Sequence, residues 1–310
     1  MTGKKRKNTA ASVRDRLLEL ARTQGDDFQW ILTRYGLERL LYRLSESVYS
    51  DQFILKGAML FALWDEHAHR PTRDVDFLAF GDASEDAVRE IFRALCNAAV
   101  DDDGLVFFAD SVRVEPIRDV TEYGGIRVML LGELAGARIP IQADISFGDA
   151  VTPEPEWVKY PTLLGSPVPL LRACPRETVV AEKYQALVSL GMANTRMKDF
   201  YDLWFIARRF GFDGTTLSKA INNTFARRVT PLPEQTPSGL SPEFYGDDQK
   251  NRQWNAFLRK GMLLTTTPTV EEVCRLLELF LVPPTTALNN DRAFLERWQP
   301  GGPWDAGEMD

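Results

Sequence analysis

Apolar residues return at helical spacing through residues 12–22, where Val13, Leu17, Leu18 and Ala21 share a face behind Ser12 as N-cap. A Gly25-Asp26-Asp27 break predicts a turn and a new cap. The apolar face then resumes through Phe28, Ile31, Leu32, Tyr35, Leu40, Leu41, Leu44 and Val48, a second helix over 27–48. After this helical pair the period changes. Phe53 to Leu55 is a short apolar run ending at Lys56-Gly57, and Ala58 to Trp64 reads as a buried helix. Residues 74–80 alternate, with Asp74, Asp76 and Leu78 on one face and Val75, Phe77 and Ala79 on the other, which predicts a strand with a polar edge.

A helix over 84–98 follows, then strands over 105–109, 112–117, 126–131 and 138–145. In the last of these, Ile139, Ile141, Ala143 and Ile145 oppose Arg138, Gln142 and Asp144. A mixed sheet covered by helices makes an α+β (α/β) core. Prolines at 153, 155, 161, 167, 169 and 175 predict an extended linker over 151–176. Helices are expected at 177–191, 196–210, 215–224, 248–263 and 269–281, with a proline-rich loop over 230–247. The expected organisation is a disordered basic tail over 1–11, a core with N-terminal helices over 12–150 and the linker to 176. A mainly helical C-terminal domain over 177–300 and a frayed tail over 301–310 complete it.

Composition changes this picture only at its edges. With 310 residues, 44% hydrophobic and 26% charged, the chain is globular and long enough to bury a core without disulfide or metal staples. Its net charge of −7 argues against a protein that merely coats nucleic acid, though a local basic patch stays open. Cys96, Cys174 and Cys274 are widely spaced and odd in number, which suits a reducing cytoplasm. Lys4 to Lys7 are followed by no apolar run, and no stretch reaches membrane-spanning length, so a cytoplasmic protein without membrane contact is expected.

The chemistry gathers at Asp74 and Asp76. Strand spacing sends both carboxylates from one face, where they repel unless a cation lies between them. Carboxylate oxygens suit Mg²⁺, which commonly takes one or two of them plus substrate phosphates. Should the two strands be neighbours, Asp144 makes a third, and such a trio can hold metal and activate a hydroxyl for attack on phosphorus. A solvated strand edge is the plain alternative for Asp-x-Asp. Lys56-Gly57-Ala58, ending a strand and opening a helix, offers free N–H groups for phosphate, and its plain alternative is a turn. Lys183 borders an apolar helix face, as a snorkelling lysine also would. Asp199 and Asp202 share a helix face, and Lys198 with Asp202 could form an ordinary surface pair. His67 and His69 receive no role, and Arg70 and Arg73 are phosphate candidates that solvent would equally suit. Basic residues at 208–209, 227–228 and 252–260, with Phe225, Tyr245, Trp254 and Phe257 among them, fit either an RNA-facing side or amphipathic helix surfaces.

Phe53-Ile54-Leu55-Lys56-Gly57-Ala58-Met59-Leu60, Arg70-Pro71-Thr72-Arg73-Asp74-Val75-Asp76 and Asp144-Ile145-Ser146-Phe147-Gly148-Asp149 together resemble the AbiEii/AbiGii toxin family of nucleotidyltransferases. Ala181-Glu182-Lys183 and the run from Asn194 to Leu203 match its C-terminal signature, and the likeness runs from about residue 12 to residue 210. The resemblance implies a DNA polymerase β-type nucleotidyltransferase core, an NTP donor and Mg²⁺ (or Mn²⁺). It also implies an RNA acceptor, which in mycobacterial relatives is the tRNA 3′ end, blocked so that translation stops. Carried over by position, Asp74, Asp76 and Asp144 would hold metal, and Lys183 would contact the triphosphate. Asp199 or Asp202 would complete the site, and Lys56, Gly57, Ala58, Thr72 and Arg73 would border the nucleotide. Ala58 stands where relatives often carry Ser or Gly, which removes a hydroxyl from the phosphate loop. A winged-helix antitoxin encoded nearby is the implied protein partner. Two other functions compete: a metal-dependent glycosyltransferase using Asp-x-Asp, and a nucleotide-binding module that transfers nothing.

Overall fold

A computed structural model describes residues 8–65, 72–117, 124–261 and 268–305. The expectations for His67, His69 and Arg70, and for most of the basic tail, lie outside the described residues. The first helix, α1 (Thr9–Gln24), starts earlier than its apolar face suggests, because the Asn8 side chain caps it by accepting from Ala11 N. Helix α2 (Phe28–Ser45) is capped by Asp27, whose carboxylate accepts from Trp30 N. Strand β1 (Phe53–Lys56) leads into a four-residue 3₁₀ turn, Gly57–Leu60, and the single turn α3 (Phe61–Trp64). Then come β2 (Asp74–Ala79), α4 (Glu85–Cys96), β3 (Leu105–Ile117), β4 (Gly125–Leu134), β5 (Ala137–Phe147), β6 (Glu156–Lys159) and β7 (Leu170–Ala173).

These strands form one seven-stranded mixed sheet in the order β3-β4-β5-β2-β1-β7-β6. The chain divides into two compact units, and the sheet with its helices, through Gly148 plus Glu156–Ala173, is the first. One sheet face is apolar and covered. A Cβ on Gly36 of α2 would lie 2.7 Å from Ile141 Cδ1 and 2.9 Å from Ile139 Cγ2, so glycine lets this helix press onto β5. Arg43 of α2 ties it to the start of β3 through both oxygens of Asp103, at 2.8 and 3.2 Å, and through Leu105 O. Polar residues of β2, β4 and β5 alternate out to the other face, half-buried.

Two expectations about strands change. The runs over 105–109 and 112–117 are one strand with an irregular register between Phe108 and Arg113. Ser111 Oγ donates to Phe108 O and accepts from Leu131 N, so a hydroxyl substitutes for a missing ladder bond there. The proline-rich stretch is also not a plain linker. Its prolines at 161, 167 and 169 occupy the connection, while Trp157, Val158, Leu170 and Leu171 between them form β6 and β7. Strand β7 then pairs parallel to β1, which draws the stretch into the core sheet.

The second unit comprises Asp149–Pro155 and the chain from Cys174. Its elements are α5 (Arg176–Leu190), α6 (Met197–Arg209), β8 (Phe212–Asp213), α7 (Gly214–Arg227), α8 (Pro242–Tyr245), α9 (Asp248–Gly261), α10 (Val270–Asn289), β9 (Arg297–Trp298) and β10 (Trp304–Asp305). Segment 149–155 docks through Thr152, whose N–H and C=O both bond Thr178 Oγ1 and whose hydroxyl accepts from Asn223.

Helix α10 runs past the expected end at 281 and through Pro283 and Pro284. Pro284 has no N–H for Phe280 O, and the Trp304 indole donates to that carbonyl instead at 3.1 Å. The chain after Trp298 is therefore held in place as far as Asp305, where β10 pairs with β9 and Trp304 lies half-buried on the helix. Trp298 is itself buried, with its indole on Ala207 O, and β8, β9 and β10 pair as a small sheet.

Candidate functional site

Strand β2 lies parallel to β5 with Asp76 opposite Asp144 and Asp74 opposite Gln142. Paired strands run about 4.8 Å apart, and residues opposite one another share a face. Backbone register thus brings 74, 76 and 144 to one patch of the half-buried polar face. Strand β1 runs antiparallel on the other side of β2, setting Lys56 opposite Asp76. Lys56 is buried, and Gly57 after it has φ +70°, in the left-handed region. A Cβ at Gly57 would fall 1.8 Å from Asp76 Oδ2, so the Asp76 carboxylate occupies the space that glycine leaves. Gly57 opens a single 3₁₀ turn rather than a long helix, so a summed helix dipole has little part in the site. Ala58 is half-buried in that turn, and Arg73 is exposed.

Side chains refine this patch. Thr72 Oγ1 donates to Asp74 Oδ1 at 2.6 Å, which fixes that carboxylate. Asp144 is drawn toward β4, where Arg127 stands opposite it in register. Arg127 grips it with two parallel bonds, Nε to Oδ1 at 2.9 Å and Nη2 to Oδ2 at 2.7 Å, and Gln142 Nε2 adds a third at 3.0 Å. Hydrogen bonding to Asp144 holds the Arg127 pKa above its ordinary value, with the charges of Asp144, Glu115 and Asp74 adding to it. Among the described residues, no group of three or more His, Cys, Asp or Glu is placed to hold a metal ion. The expected trio therefore meets in backbone register, while the third carboxylate is engaged by an arginine. As a donor set, Asp74 and Asp76 fit a hard cation that takes two carboxylates and fills its other positions with phosphate and water. Neither Arg127 nor Gln142 was singled out from sequence. Their signal was present, since Arg127 lies on the polar side of an alternating strand whose Ile126 and Val128 are buried.

The second unit holds the other expected residues. Lys183 of α5 reaches across to α6, with Nζ 2.5 Å from Asp199 Oδ1 and 2.9 Å from Asp202 Oδ2. Asp202 has no exposed side-chain surface, whereas Asp199 keeps 10%. Neither plain alternative describes them: Lys183 is not snorkelling, and Asp202 pairs with Lys183 while Lys198 is exposed. The α6 start is held by residues whose role the sequence pattern did not show. Asn194 Oδ1 accepts from Arg196 N, and buried Lys250 donates to Asn194 O at 2.8 Å. Arg228 joins Asp149 at 3.2 Å and Glu182 at 3.8 Å. Phe225 and Trp254 are buried core residues, which removes them from any exposed stacking surface for RNA.

Residues 39–276 match the family described as nucleotidyl transferase AbiEii toxin, Type IV TA system. The chain belongs to the AbiEii toxin family. The match passes residue 210 and takes in most of the helical second unit, beyond the likeness visible in motifs. No curated protein sequence matches the chain. Among solved structures, JHP933 from Helicobacter pylori is similar at 15% identity, covering 86% of this chain and 95% of that one with a TM-score of 0.49. A second H. pylori protein, provisionally described as a nucleotidyltransferase, aligns at 15% identity over 86% of this chain and 100% of its own, with a TM-score of 0.50. The latter likeness supports a nucleotidyltransferase-type fold for this AbiEii chain. Family membership brings an antitoxin partner and an NTP substrate with it. Among the described residues, no helix is long and apolar enough to cross a membrane.

Proposed function

We propose that this AbiEii protein transfers nucleotide from an NTP to an RNA acceptor, the tRNA 3′ end, and so blocks translation in the cytoplasm until a winged-helix antitoxin restrains it. Asp74 and Asp76 would hold Mg²⁺ (or Mn²⁺), with Asp144 beside them. Bound there, the ion would neutralise the triphosphate and ease ionisation of the attacking hydroxyl. The chain's own contribution is positional. Thr72 keeps Asp74 in one orientation, and Gly57 leaves room for Asp76. The acceptor hydroxyl loses its proton to solvent water as its oxygen bonds to the α-phosphorus, the bond to the bridging oxygen breaks, and pyrophosphate leaves with the electron pair. In the second unit, Lys183 would contribute an ammonium to NTP binding, with Asp199 and Asp202 fixing its position.

The single observation behind this reading is the register that seats Asp74, Asp76 and Asp144 on one face, with Asp76 over Gly57. Incubation with each α-labelled NTP and total tRNA tests it. Label should enter tRNA with one or more NTPs and vanish in Asp76→Ala. Equal labelling by Asp76→Ala would reject the assigned roles. Release of a nucleoside diphosphate from a nucleotide-sugar would favour a glycosyltransferase.

One observation favours the idle-module reading: the Arg127 fork already satisfies the Asp144 carboxylate. Under that reading NTP binds and no RNA is labelled.

A further inference from the structure

The Arg127 fork has a sharper meaning if Asp74 and Asp76 take metal, and its role as inferred below rests on that reading. A carboxylate offers about four lone-pair positions. On Asp144, Arg127 and Gln142 fill three of them, and Arg127 alone occupies both oxygens. Asp144 stands opposite Asp76 on the neighbouring strand, so three acidic side chains share two adjacent strands and one face. Such a face needs positive charge close by in the metal-free chain, and the guanidinium of Arg127 supplies some of it from the third strand. The pair is not sealed. Arg127 is 35% and Asp144 19% exposed, and a solvent-touched ion pair is weak enough to exchange. Arginine also suits the task geometrically, since its planar fork matches a carboxylate at both oxygens and its long stem can swing away.

We infer that Arg127 is the resident counter-ion of Asp144 and gives it up when a divalent cation binds beside Asp74 and Asp76. Arg127 is then a positioning residue that sets the metal affinity of the acidic face. Removing it frees Asp144 to serve as an additional oxygen donor, so metal binds more tightly without any change in Asp74 or Asp76.

The experiment measures Mn²⁺ binding to the NTP-free full chain by the electron paramagnetic resonance of the free ion. Wild type, Arg127→Gln, Asp144→Asn, the double variant and Asp76→Asn are compared, with circular dichroism confirming that each is folded. Arg127→Gln should tighten Mn²⁺ binding about five-fold, the worth of an exposed ion pair that no longer has to be broken. In the Asp144→Asn background the same substitution should give less than about two-fold, because the fork has lost its carboxylate. Unchanged or weaker binding by Arg127→Gln overturns the inference and leaves the metal reading intact, provided Asp76→Asn still loses the ion. Equal gains in both backgrounds also overturn it, since they reflect only the lost positive charge. Wild type and Asp76→Asn behaving alike would remove the metal reading itself, and this inference with it.

Discussion

Replacing Gly57 by alanine tests whether Asp76 is held where the site needs it. The new Cβ would lie 1.8 Å from Asp76 Oδ2, 2.5 Å from its Cγ and 2.8 Å from its Cβ. To regain an ordinary contact of 3.4 Å, the carboxylate oxygen has to retreat by about 1.6 Å. Rotation about χ1 cannot relieve the contact with Asp76 Cβ, so β1 and β2 must also separate slightly. Two costs combine. A left-handed φ costs a non-glycine residue about 1–2 kcal/mol, and overpacking adds about 1–3 kcal/mol. Gly25→Ala is a natural control, because Gly25 has φ +73° and nothing within 4 Å of a built Cβ. It carries the first cost without the second. Urea unfolding should therefore show Gly57→Ala less stable than Gly25→Ala by about 1–3 kcal/mol. Nucleotide transfer should be lost in Gly57→Ala and kept in Gly25→Ala. In an Asp76→Ala background the stability difference should shrink, because two of the three close contacts disappear. Equal stability of the two glycine variants, with transfer intact in both, would refute the link between the turn and the carboxylate.

Three further outcomes are expected. Burial pushes Cys96 up to about 11 and Cys274, Tyr184 and Tyr201 up to about 12, so the folded chain keeps protons that the unfolded chain releases from about pH 9 for thiols and 10 for phenols. Stability from these groups is complete below pH 9 and declines as pH rises toward 11–12, so the urea midpoint should fall across that window, and a flat profile would contradict their burial. Trp304→Phe should cost about 1 kcal/mol by stranding Phe280 O, and Pro284→Ala should restore part of it by returning a helix N–H, as a double-mutant cycle on unfolding would show. Lys183→Met should destabilise the chain by about 3–5 kcal/mol, because it removes the ammonium that bridges the fully buried Asp202 and Asp199. Asp199→Asn should cost less, and thermal melts giving the opposite order would place the critical pairing elsewhere.

The sequence determined most of the longer helices, the strands β1, β2, β4 and β5, and the candidate chemistry. Period 3.6 and period 2 alternate cleanly where one face of an element is buried, which is why α4, β4 and β5 were legible along with the polar side of each strand. Separated motifs at Lys56-Gly57, Asp74-Val75-Asp76, Lys183 and Asn194 to Leu203 carried the family. Tertiary structure decided what pattern cannot encode. A strand carries its own alternation but not the identity of its neighbours, so that β5 lies beside β2, with Asp144 opposite Asp76, is a property of the sheet. The same holds for β7 joining β1 across a proline-rich stretch, and for a helix that persists through two prolines because Trp304 takes over the orphaned carbonyl. Arg127 is the sharpest case. In sequence it is one polar residue on an alternating strand, and only the pairing of β4 with β5 shows that it holds a carboxylate of the candidate site. Hydrophobic period is written locally, whereas which charges meet depends on which strands pair, and strand pairing is settled by long-range packing of the whole sheet.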